Sequence, residues 1–228
     1  MVRNFKNTIW LLMVLILPLA SYSQKDITQF LDIPVDGYKS EMLQKLKNKG
    51  FTSKKFNEDI LEGEFNGTNV NLIIGTNNNK VWRVAVRDIN PTNETQIKIR
   101  FNNLIQQFVN NSRYVTQADS TIAKYNIPED DDISYNISVK NKQYEATFSQ
   151  KSLKFDTLIN EKKLLNSKEK LNDKELDRLF AIIKELTEES INSILHKTVW
   201  FMIQKDNDGY RIVIFYENDY NKAKGEGL

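Results

Sequence analysis

Histidine chemistry has a single candidate in this chain. His196 is the only histidine among 228 residues, so a Ser-His-Asp triad or a His-based zinc site must be built around it. It closes a long helical pattern, where a cation is favoured by the helix dipole, and a capping or surface role is expected. There is no cysteine, which removes thiolate nucleophiles, thiolate metal sites, disulfides and lipid attachment to a Cys behind a leader. G-x-S-x-G, Walker, G-x-G-x-x-G and H-E-x-x-H patterns are absent, and the eight glycines form no cluster that would cradle a phosphate. No cofactor or metal is therefore expected.

The carboxylates offer more. Asp206-x-Asp208-Gly209 invites a calcium reading, but with the glycine at the sixth loop position the first falls on Gln204 and the twelfth on Phe215, where acids are required. Between two apolar strands, Asp-Gly is expected to be a hairpin turn. Glu129-Asp130-Asp131-Asp132 could collect a cation, yet a solvated loop before a strand is the better expectation. Glu62 and Glu64 stand at i and i+2 on one strand face, roughly 7 Å apart by strand rise, the lower end of inverting-glycosidase spacing. Exposed strand faces commonly offer such pairs. They are expected to face water, with Arg83 and Arg87 as cross-strand partners.

Aromatic residues make up 11% of the chain, enough to supply stacking surfaces. Trp82 and Trp200 could stack on sugar rings but stand in apolar alternating contexts, so core packing is expected. Tyr216 and Tyr220, together with Arg83 and Arg87, form the candidate partner surface.

These residues must be positioned by elements that periodicity predicts. A helix spans about 40–49, with Met42, Leu43 and Leu46 as its stripe and Gly50 as terminator. A three-strand meander follows: 61–65, a turn at Asn66-Gly67, a strand holding Val70, Leu72 and Ile74, a turn at 76–79, and 81–87. A second helix runs from 93 or 94 to 109. Ile133, Tyr135, Ile137 and Val139 alternate with polar residues and predict a strand, hairpinned to Tyr144, Ala146 and Phe148. Lysine-rich 151–172 is expected to be a linker or insertion. Asn172 and Glu175 form a capping pair for a helix to about 195, expected to bury Leu176, Leu179, Phe180, Ile183, Leu186, Ile191 and Ile194. A final hairpin, 199–203 with 210–216, is apolar on both faces and should sit centrally. The order α-β-β-β-α-β-β-α-β-β predicts an α+β fold, about three helices layered on a mostly antiparallel sheet of about seven strands.

The N-terminus reads as a cleavable signal peptide over residues 1–23, followed by one domain over 24–228. Arg3 and Lys6 precede the apolar run Thr8–Ala20, and Ser21 and Ser23 suit a signal peptidase. Thirteen residues span about 20 Å of helix against roughly 30 Å of hydrocarbon, too short for an anchor. Removing Arg3 and Lys6 takes the net charge from +2 to zero, so nothing steers the remainder toward nucleic acid or an anionic membrane.

Several phrases carry a resemblance: Ile33-Pro34-Val35-Asp36-Gly37 leading into Glu41–Phe51, Thr76–Val81, Ile99–Leu104, Ile133-Ser134-Tyr135, Val199–Ile203 and Tyr220–Glu226. Together they resemble an uncharacterised family of exported proteins from Bacteroides-like bacteria, over most of 30–150 and 198–228. Residues 151–197 depart from it. The resemblance implies a Gram-negative envelope context, periplasmic or extracellular, and says nothing about chemistry. A large core, balanced charge and no convergent catalytic set lead instead to the expectation of a non-enzymatic binding module for a protein or glycan partner. A carboxylate-only hydrolase or a structural, chaperone-like envelope protein are the alternatives.

Overall fold

The computed structural model describes residues 26–115 and 118–222, and the signal peptide expected over 1–23 falls outside the described residues. The chain is α+β, built on an eight-stranded antiparallel sheet with six helices among the described residues.

A two-strand ribbon, β1 (Gln29–Phe30) and β2 (Ile33–Pro34), precedes helix α1 (Lys39–Asn48). Strands β3 (Thr52–Lys54), β4 (Asn57–Phe65), β5 (Thr68–Asn77) and β6 (Lys80–Asp88) form the expected meander, extended by one short edge strand. Its turns use the residues that tolerate positive φ: Asn66 at 52° with Gly67 at 70°, and Asn78 at 46° with Asn79 at 61°. Helix α2 (Glu94–Asn110) starts at an Asn93 side chain that accepts from Gln96 N. Strand β8 (Glu145–Gln150), β9 (Thr198–Asp206) and β10 (Gly209–Glu217) complete the sheet with β7 (Tyr114–Val115). The spatial order is β3-β4-β5-β6-β10-β9-β8-β7, so the last hairpin does sit centrally, inserted beside β6.

Alternation sends Leu61, Leu72, Val84, Val86, Ile212, Ile214, Val199 and Phe201 to one face, all buried. Met42 and Leu46 of α1 join that core, as do Ile97, Phe101, Leu104, Ile105 and Phe108 of α2, and Phe101 meets Phe201 edge-on at 4.9 Å. The segment before α1 is strapped across it. Ile27, Phe30, Ile33 and Val35 are buried, Thr28 donates to the Glu217 carbonyl, and Gln29 exchanges two hydrogen bonds with the Gln150 side chain at 2.8 Å each.

Three expectations are corrected. Ile133–Val139 is not a strand: Ile133–Ser138 is helix α4, capped by Asp132, whose side chain accepts from Tyr135 N. The pattern Ile-Ser-Tyr-Asn-Ile also places Ile133 and Ile137 at i and i+4, one face of a helix, so both periods fit it. Helical backbone lets Asn136 reach the Tyr144 hydroxyl at 2.9 Å. The stretch before it, expected to be loop, contains β7 and helix α3 (Ala118–Tyr125).

The expected linker at 151–172 contains helix α5 (Phe155–Asn166), an antiparallel partner for α6 (Asp173–His196). Leu158, Leu165, Ile182 and Leu186 make a small core of their own, separate from the main one. Lysines masked the helical spacing of Phe155, Leu158, Ile159 and Leu165. The Asn172 and Glu175 capping box is present.

The third correction is the buried face of α6. Of the apolar residues expected there, Leu186 is buried and Leu179 half-buried. Leu176, Phe180, Ile183, Ile191 and Ile194 are 41–61% exposed.

Candidate functional site

The sheet face turned away from α1 and α2 collects the two arginines singled out in the sequence. Arg83 donates to Glu217, whose carboxylate also accepts from Trp200 Nε1 at 2.9 Å. The guanidinium lies 4.2 Å from the Trp82 ring and 4.7 Å from Phe215, and Phe215 stacks on Trp200 at 4.2 Å. Trp82 and Trp200 are thus half-buried partners of an arginine, not core residues. Four residues along β6, Arg87 donates to Gln204 at 3.2 Å and Asp206 at 2.8 Å. Arg211 shares Asp206 and grips Asp208, so the Asp-Gly hairpin is cross-linked by ion pairs, and Arg211 holds the Asp208 carboxyl below its usual range.

Glu62 and Glu64 share a face of β4, but neither is a cross-strand partner of Arg83 or Arg87. Glu62 stands opposite Asn71 of β5, which intervenes before Arg87, and it pairs with Lys54 at 3.1 Å. In the acidic run two of the four carboxylates, Asp131 and Asp132, are engaged. Asp132 caps α4, and Lys98 Nζ bonds the Glu129 and Asp131 carbonyls. Partial burial pushes the Asp131 carboxyl up, but hydrogen bonds from Lys142, Tyr144 and Asn136 outweigh it and hold the group below its usual range. Among the described residues no cluster of three His, Asp or Glu side chains is placed to hold a metal ion. His196 stacks on Tyr220 at 4.5 Å. Among the described residues its Nδ1 is buried without a hydrogen-bond partner, as is Ser193 Oγ one turn earlier, so no hydrogen bond joins the two.

Tyr220 is 39% exposed and contacts Asn192, whereas Tyr216 is not a surface residue. At 6% exposure it lies in the floor of a cleft of about 510 Å³ between α2, β10 and the β4–β5 turn. The floor is aromatic and aliphatic, from Phe65, Leu104, Phe108, Tyr114, Ile214 and Tyr216. The rim is polar, from Glu64, Asn66, Gln107 and Asn111. Asn66 Nδ2 donates to Gln107 Oε1 at 2.7 Å, and beyond this bond a second hollow of about 250 Å³ continues along α2. The Tyr114 hydroxyl lies close enough to that of Tyr216 and to the Gln150 side chain for them to influence its ionisation. Burial raises both phenol pKa values, Tyr216 well above the usual range, so both are neutral donors and acceptors.

The lip of the cleft is under strain. Leu31 and Asp32, which join β1 to β2, hold φ of 51° and 65°, and Leu31 lines the cleft. A leucine in the left-handed region costs roughly 1–2 kcal/mol. The turn is clipped by Arg113, which donates to Asp32 at 2.7 Å.

Tyr216, Glu64 and Asn66 stand out in the sequence, but as a surface contact, one of a carboxylate pair and a turn residue; no motif marks Gln107 or Asn111, or joins the five into one lining. The lining comes from the β1–β2 turn, the end of β4 and its turn to β5, α2, β7 and β10, so no linear spacing announces it. One signal was available. Gln107 and Asn111 flank the Leu104 and Phe108 stripe at i and i+4, marking a polar border to an apolar face.

Comparison with known proteins finds no matching family, no matching curated protein and no matching solved structure.

Proposed function

We propose that this chain is a non-enzymatic binding module, exported to the periplasm or outside of a Gram-negative bacterium, whose ligand seats in the cleft beneath α2. The carrying observation is the aromatic floor under a rim of three amides and the Glu64 carboxylate, in a volume of about 510 Å³, a size typical of small-molecule sites. Such a lining buries a ring and hydrogen-bonds its substituents, and it pairs no nucleophile with a base. Ring faces on the floor and amides at the rim suit a glycan unit or a side chain presented by a protein partner. The strained Leu31-Asp32 turn supports the reading, because left-handed backbone in non-glycine residues tends to gather at ligand clamps.

Titration with the neutral fluorophore N-phenyl-1-naphthylamine tests the site. Saturable binding is expected, lost in Gln107→Trp, which plugs the cleft, and retained in Arg87→Ala on the other sheet face. Equal binding by Gln107→Trp would place the ligand elsewhere.

A second reading docks a partner on the face bearing Arg83 and Arg87. It is favoured by the half-buried Trp200 and Phe215 stack there, and weakened by the ion pairs that already engage both arginines.

A further inference from the structure

We infer that α6 is the seam of a homodimer, two copies packing antiparallel through the bare stripe of this helix. Leu176, Phe180, Ile183, Thr187, Ser190 and Ile194 recur at intervals of 4, 3, 4, 3 and 4, the period of a coiled-coil seam, over about 27 Å of helix. The four large side chains of that stripe are 41–61% exposed. The opposite flank of α6 is already used, since Ile182 and Leu186 pack with α5. Half of an apolar arc therefore has a partner within the chain, and half has none among the described residues.

The stripe is complementary to itself when reversed. With a two-fold axis level with Glu185, Leu176 meets Ile194 of the second copy, Ile183 meets Thr187, and the Phe180 ring faces the small Ser190. Large against small is what lets facing helices interdigitate. The two hydroxyls are already satisfied inside their own helix, Thr187 Oγ1 donating to Ile183 O at 2.9 Å and Ser190 Oγ to Leu186 O at 2.7 Å. Covering them leaves no orphaned donor. Lys184 and Glu188, 79% and 64% exposed, lie on the same edge of the stripe. The two pair within their own helix at 3.9 Å, and reversal sets the pairs of the two copies side by side, each Lys184 flanked by both the Glu188 and the Lys184 of the other copy. A membrane surface is the poorer occupant, because the flank balances Lys174 and Lys184 with Asp177 and Glu188 instead of being uniformly basic.

Sedimentation velocity and disulfide crosslinking test this directly, and the absence of cysteine makes single introductions clean. The purified chain should sediment as a dimer at 100 μM, and Phe180→Glu as a monomer with an unchanged circular dichroism spectrum. Lys184→Cys, beside the axis, should oxidise to a crosslinked dimer. Leu176→Cys should not, because its own counterpart would lie about 27 Å away along the seam. A monomeric wild type, a monomer that instead binds phosphatidylglycerol vesicles through this helix, or a Leu176→Cys variant that crosslinks as fast as Lys184→Cys would each overturn the proposal.

Discussion

Asn66 and Gln107, on the β4–β5 turn and on α2, close a 2.7 Å hydrogen bond across the groove and divide it into two hollows. Both residues are exposed, so the bond itself contributes little to folding. Gln107→Ala should change stability by less than about 0.5 kcal/mol. It should also merge the hollows, so that a probe longer than N-phenyl-1-naphthylamine gains affinity. Fluorescence titration beside urea unfolding checks both halves.

The Leu31-Asp32 turn trades conformational strain for position. Glycine is the preferred second residue of a two-residue hairpin turn with positive φ at both positions. Asp32→Gly loses an ion pair whose partners are 51% and 69% exposed and whose worth is therefore small. It relieves a residue at φ 65°. A net gain of about 0.5 kcal/mol is expected in urea unfolding, together with weaker probe binding if the turn positions the lip.

Asp88 and Arg100 tie β6 to α2. Arg100 donates two bonds to the carboxylate, at 2.8 and 2.6 Å, and Ile212 N donates a third at 3.2 Å. Asp88 is only 4% exposed, so removing the guanidinium strands a buried charge. Arg100→Leu should cost about 3 kcal/mol or more, read from the urea midpoint at constant slope.

Two glycines separate strain from collision. A Cβ on Gly67 would meet no atom within 4 Å, so Gly67→Ala pays only for its φ of 70°, about 1 kcal/mol. A Cβ on Gly209 would come 2.8 Å from the Thr92 carbonyl oxygen, a main-chain atom that also accepts from Tyr210 N at 2.9 Å. Gly209→Ala should cost about 2 kcal/mol or more and lower the melting temperature correspondingly further.

Acid should loosen the α4 corner. The Asp131 carboxyl is held below its ordinary value of 3.8 by Lys142, Tyr144 and Asn136. A group depressed on folding stabilises the protein above its unfolded pKa, and that contribution disappears as pH falls through the folded value. Unfolding measured from pH 6 down to pH 2 should therefore show a steeper loss for the wild type than for Asp131→Asn, with the divergence beginning near 4.

Local signals carried the reading furthest where one element decided the matter by itself. Asn66-Gly67 is a turn because few other residues accept positive φ at both positions, and Gly209 at φ 138° leads out of the Asn207-Asp208 turn for the same reason. The Asn172 and Glu175 box starts a helix because both halves of the cap lie three residues apart. Ile133–Ile137 defeated the same approach, since alternation and i,i+4 spacing coincide over so short a run, and contacts from Asn136 to Tyr144 and Asp131 decided for helix.

What the chain's order of residues determined alone was the class of fold, the meander and its turns, the central final hairpin and the lack of any thiol chemistry. These follow from backbone preference and period, which act over a few residues. Tertiary structure decided that Tyr216 would line a cleft and not a surface, that Trp200 would stack beside Arg83, and that half of α6 would be left bare. Each depends on which elements meet, and burial is a property of neighbours that no residue carries in its own identity.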